Sequence, residues 1–146
     1  MLFRSAFSFD LQAQALTTEQ VTRLERQTRE SRALVYSSKT LKDIREDLVY
    51  MRHSPQPEVL ALYKEHRNFI KTFYRHYLQL SGATADSAAQ RDADEQLLRD
   101  IEDHYKNANR AVHAMASGDV VGGAELSTML NVNREIHHSC KSLLLQ

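Results

Sequence analysis

"MLNVNREIHHSCKSLLL", residues 129–145, carries a clear helical seam. Met129, Ile136 and Leu143 recur at the heptad interval, the spacing of a helix laid along a packed seam, and Leu126 precedes them on the same line. Asn133 and Cys140 face inward whether the phase is counted from Met129 or from Leu130, and His137 faces inward only in the second count. Glu135 and His138 point outward. A buried Asn in such a seam sets register at some cost in stability, and a buried Cys behaves as a small apolar residue. The stretch therefore reads as a packed helix with a few polar members. No base is evident beside Cys140 to make it a nucleophile.

Working outward, three further helical segments precede it. The first begins at "LTTEQ", where Thr17 and Gln20 have the spacing of a capping box, and runs to about Arg52 as one helix. Its seam places Leu34, Leu41 and Leu48 on one line and Ile44 and Met51 on the next. At about 1.5 Å per residue it is about 50 Å long. "SPQP" ends it, because Pro55 and Pro57 remove donors and disfavour helical angles before them. The second opens at Pro57 and Glu58, with Val59, Leu62, Phe69, Phe73 and Leu80 as its stripe and Tyr63, Ile70 and Tyr77 beside it. "SGATADSAAQ", residues 81–90, reads as a loop. The third carries Leu98, Ile101, Tyr105, Ala108, Val112 and Met115, and Gly118 is its C-terminal stop. Gly122 caps the fourth, with Glu125 in its first turn.

These segments predict an all-α, antiparallel up-down-up-down four-helix bundle over residues 17–146. Residues 1–16 form an N-terminal segment, a linker or the end of a longer parent chain. Composition agrees: in 146 residues there are only 4 Gly and 2 Pro, too few for the turns of a many-stranded fold. With one cysteine, no internal disulfide or multi-thiolate zinc site is available. No stretch has the run of about 18 apolar residues that a membrane helix needs, so a soluble chain is expected. Net charge is zero, divided as 13 basic and 9 acidic residues before position 81 and 6 and 10 after it. That split is too mild for a nucleic-acid footprint and suits attraction between the halves of one bundle.

Two places carry residues at metal-ligating spacings. Di-metal bundles need Glu-x-x-His on two helices, and only Glu135 and His138 provide that pair. Asp43 and Asp47 share a helix face at a spacing that suits a metal ion, yet Leu41 and Ile44 define the seam and put both aspartates off it, beside Lys42, Arg45 and Glu46. In "EHRNFIKTFYRHY", residues 65–77, His66, Arg67, Lys71, Arg75 and His76 interleave with aromatics. The pattern reads as core aromatics plus a solvated basic face, the alternative being contact with an acidic partner or lipid headgroups. No phosphate loop or nucleophile elbow is present. No enzyme, metal or cofactor is expected.

The run Leu130, Asn131, Val132, Asn133, Arg134, Glu135, followed by Ser139, Lys141, Leu143 and Leu144, resembles the last helix of the PhoU-like domain in bacterial sodium/phosphate cotransporters. "SSKTLKDIREDL", residues 37–48, is similar to that family's Leu-Lys-Asp-Ile segment. The resemblance spans residues 19–145. It implies a regulatory helical bundle on the cytoplasmic side of the inner membrane, partnered by the transporter domain of its parent protein in phosphate transport. PhoU proteins hold metal clusters through repeated acid-x-x-x-Asp motifs. Here Lys42 and Glu46 take the corresponding positions, and a lysine repels a metal ion. Two other readings stand beside this one: a free-standing module that self-associates or binds a partner helix, and a metal-binding bundle.

Overall fold

Thr17 opens the first helix as its spacing predicts. Its Oγ1 accepts the Gln20 N–H at 3.1 Å, and the Gln20 side-chain oxygen accepts the Thr17 N–H at 2.9 Å, so two otherwise orphaned donors are satisfied. The computed structural model describes residues 17–81 and 87–145, and the reading of residues 1–16 lies outside them. The described residues form five helices and no strand: α1 Thr18–Asp43, α2 Arg45–Arg52, α3 Pro57–Ser81, α4 Ser87–Ser117 and α5 Gly123–Leu144. The protein is all-α, and no helix among the described residues is long and apolar enough to cross a membrane.

Four boundaries or phases differ from the sequence reading. The first helix is interrupted at Ile44, whose backbone (φ −96°, ψ 6°) leaves helical angles while its N–H still reaches Thr40 at 3.3 Å. Ser37, Ile44 and Met51 recur at heptad spacing and are all buried. A straight helix drifts about 20° per heptad from such a line, and the irregular residue sits on the line itself. Residues 87–90, read as loop, are the first turn of α4, since Ser-Ala-Ala-Gln carries good helix formers. At the end of α4 the left-handed residue is Asp119 (φ 55°), not Gly118. Asp119 N–H reaches Ala116 and Val120 N–H reaches Met115, the paired bonds of a Schellman turn, and Asp tolerates that conformation better than most residues. Finally, the α4 stripe contains Leu97, not Leu98, and His104, not Tyr105.

α5 is central. It packs along α1 and α4 and touches α2, while α2 packs on α3 and α3 on α4. Met129, Val132, Ile136 and Leu143 of α5 meet Ile44, Met51, Leu62, Phe73, Ile101 and Val112 in one core. Each such side chain contributes about 1.5–3 kcal/mol by leaving water. The phase counted from Met129 is the one the structure adopts, and Leu130 is exposed. Leu41 and Leu126 lie partly buried against the same core.

Candidate functional site

Two chains of polar side chains run through this core, both anchored on α5. The first starts at Asn133, which is 2% exposed. Its Nδ2–H donates to Asn109 Oδ1 of α4 at 3.0 Å, leaving its Oδ1 to accept from His66 Nε2 of α3 at 2.8 Å. His66 Nδ1 must then accept, and its partner at 2.9 Å is His104 Nε2 of α4. The donors therefore run one way: His104 to His66 to Asn133 to Asn109. His104 also stacks on Phe69 with ring centroids 4.1 Å apart.

Burial, reinforced by the neighbouring His104, pulls the His66 imidazole down to about 3. Burial alone takes His104 down to about 4. Both rings are neutral at ordinary pH. Protonation of His66 sets its Nδ1–H against the His104 N–H, so the chain must reverse its donors or break.

The second chain joins α3, α1 and α5 by hydroxyls. The Tyr74 hydroxyl contacts Ser37 Oγ, Ser37 Oγ contacts Ser139 Oγ, and Ser139 Oγ donates to the Ser37 carbonyl at 3.1 Å. Burial raises the Tyr74 phenol, with the serine hydroxyls acting against it. Cys140, next in sequence, is fully buried, and burial pushes its thiol up to about 12. A thiol so protonated is a packing group and a poor nucleophile. No buried side-chain nitrogen or oxygen among the described residues lacks a partner.

The structure separates the other candidates. Asp43 and Glu46 are exposed and Asp47 half-buried, away from the core. Glu135 leans toward Arg134 at 3.9 Å and His138 is exposed. Among the described residues no group of three or more His, Cys, Asp and Glu side chains is arranged to hold a metal ion. His137 lies at the rim of the core, where its Nε2 is 3.1 Å from Glu102 of α4 and its ring stacks on Tyr105 at 4.3 Å. Lys141 meets the same carboxylate oxygen at 3.1 Å. These bonds, His137 first, hold the Glu102 carboxyl below its ordinary range.

His66 overturns its reading as a member of the solvated basic face. Arg67, Lys71, Arg75 and His76 do lie exposed, but His66 is 0% exposed. The signal was present: the α3 stripe passes from Leu62 to Phe69 with its intervening turn empty, and His66 falls in that gap. Asn133 is likewise more than a register residue, since it is bonded on both sides. Comparison with protein-family models, curated proteins and solved structures finds no match for this chain.

Proposed function

We propose that the chain is a contact module: a PhoU-like, up-down-up-down four-helix bundle serving as a cytoplasmic regulatory domain of a sodium/phosphate cotransporter-like protein. In this bundle α1 and α2 count as one leg, and the legs neighbour one another in the cyclic order of the contacts described above. The observation that carries the contact reading is a pair of Val-Tyr dipeptides on the outside of that leg. Val35 and Tyr36 are 70% and 51% exposed, and Val49 and Tyr50, almost four helical turns further on, are 46% and 47% exposed. Exposed large apolar side chains repeated two heptads apart along one leg support a surface that meets another molecule, with the Tyr50 hydroxyl held by Glu125 of α5. The likeness of residues 130–144 and 37–48 to the cotransporter family supplies the partner. In that run Asn133 and Ser139 are the bonded core positions, which supports reading it as a packing signature and not as chemistry.

Removing residues 17–146 from the encoding gene tests the assignment. Sodium-driven phosphate uptake, its response to external phosphate, or assembly of the transporter should change. If all three stay as they were, the free-standing interaction module becomes the better reading, since the exposed Val-Tyr pairs favour it equally.

A further inference from the structure

Between α2 and α3 runs an open groove of about 420 Å³, separate from the buried polar chains. The half-buried Leu48, Tyr63 and Ile70 form its floor with the exposed Val49 beside them, while Arg45 and Arg52 stand on the α2 wall and Arg67 and Lys71 on the α3 wall. All four cations are exposed, and among the described residues none of them is in an ion pair. Among the described residues no acidic side chain lines the groove. Arg45, Leu48, Val49 and Arg52 have the spacing of one helix face, and so do Tyr63, Arg67, Ile70 and Lys71. The α2 wall therefore extends about 10.5 Å and the α3 wall about 12 Å, roughly two helical turns each. An i, i+4, i+7 apolar stripe on a docking helix has a similar length.

We propose that this groove receives an amphipathic helix of a partner protein whose apolar stripe is flanked on both sides by acidic residues. The proposal rests on the reading that the chain acts by contact, and it adds where and with what chemistry. Apolar anchors of the incoming helix cover Val49 and the floor, making α2, α3 and the guest a three-helix layer. Carboxylates on its two flanks meet Arg45 and Arg52 on one side and Arg67 and Lys71 on the other. A concave slot with cations on opposite walls suits a rod with two acidic edges. An anionic membrane plane would need cations projecting together from a convex face.

The test uses the full chain and a synthetic labelled helix of about 20 residues, long enough to hold its structure, with Leu on the stripe and Glu on both flanks. Its Glu→Lys counterpart is the control. Fluorescence anisotropy should show saturable binding of the acidic helix, weakened by added salt, and none of the basic one. The double variants Arg45→Glu/Arg67→Glu and Arg52→Glu/Lys71→Glu should each weaken binding on the order of ten-fold with unchanged thermal melts. Val49→Asp should do the same. Absence of binding to the native chain, or equal binding by native chain and variants, overturns the proposal. Sedimentation with phosphatidylglycerol vesicles that depends on the same cations, while the peptide fails, overturns it in favour of a lipid surface. Peptide binding together with unchanged phosphate uptake on deletion would sink the transporter assignment and leave the groove standing. An uptake effect without peptide binding would do the reverse.

Discussion

The two polar chains in the core do the same mechanical job with different chemistry. One joins α5 to α3 and α4 through His66, His104, Asn133 and Asn109; the other joins α5 to α1 and α3 through Ser37, Ser139 and Tyr74. Each ties α5 at one residue, Asn133 or Ser139, to its neighbours, and together the two residues fix its rotation and its height. Only the first chain contains groups whose protonation differs between the folded and unfolded protein on the acid side of neutrality. The comparison separates what a buried hydrogen bond contributes to shape from what a buried imidazole adds to pH response.

Truncating the imidazole should have the largest effect. His66→Ala opens a cavity and removes the partner of the buried Asn133 side-chain oxygen and of the His104 N–H. Urea unfolding should show a loss of about 3–5 kcal/mol. A loss below about 1 kcal/mol would mean that water or a neighbouring side chain takes over both bonds.

Asn133→Leu comes next, and here sequence and structure predict opposite signs. A lone seam asparagine costs stability, so its replacement by Leu is expected from the sequence to keep or raise the melting temperature. In the structure Asn133 bonds to His66 and Asn109 at once, and Leu leaves the His66 N–H without an acceptor. The expected outcome is a loss of about 1–3 kcal/mol. A raised melting temperature would restore the register reading.

The reason for that conflict is the reason the site was only partly legible. Heptad spacing shows which residues face inward, and it placed Met129, Asn133, Ile136, Cys140 and Leu143 correctly. It cannot show which inward polar groups meet across helices, because Asn133, His66 and Asn109 belong to three segments whose relative heights are set by tertiary packing. His66 was misread for a related reason. A titratable side chain among Arg67, Lys71 and Arg75 resembles its charged neighbours in composition, and only its place in the stripe distinguishes it. On α4 the spacing places Ile101, Ala108, Val112 and Met115 correctly, and only within the adjacent pairs Leu97/Leu98 and His104/Tyr105 does it select the wrong member. The capping box at Thr17 and Gln20 was legible because its chemistry is entirely local.

Acid distinguishes the two chains without mutation. The unfolded chain protonates His66 near its ordinary value of about 6.5, whereas the folded chain resists until about 3. The unfolded state therefore binds more protons throughout that window, and stability, complete above about pH 6.5, falls as pH falls through it. Lowering the pH from about 7.5 to about 5 should cost about 2 kcal/mol through His66, with His104 adding in the same direction. Chemical denaturation across that range measures the slope. His66→Leu, which keeps bulk and removes the titration, should flatten it, while Ser139→Ala should lower stability and leave it unchanged. Equal slopes in native chain and His66→Leu would assign the acid sensitivity to other groups.

The smallest effect is expected from Tyr74→Phe, and it tests the hydroxyl chain from its free end. The phenol is half-buried, and Ser37 retains Ser139 as a partner when the phenol is lost. No cavity opens, because Phe keeps the ring that meets Phe73 edge-on at 5.6 Å. At neutral pH the loss should be about 1 kcal/mol, the net value of one hydrogen bond. The acid slope should match that of the native chain, since nothing in this chain titrates there. At high pH the sign differs. Burial raises the folded-state phenol, so above about pH 10 the unfolded chain gives up the Tyr74 proton first. Its stabilising share is complete below that value and is lost as pH rises. Tyr74→Phe should thus be less stable than the native chain at neutral pH and lose less on moving to alkaline solution. An acid slope altered by this substitution would mean that the two polar chains are coupled through α5 and do not act separately.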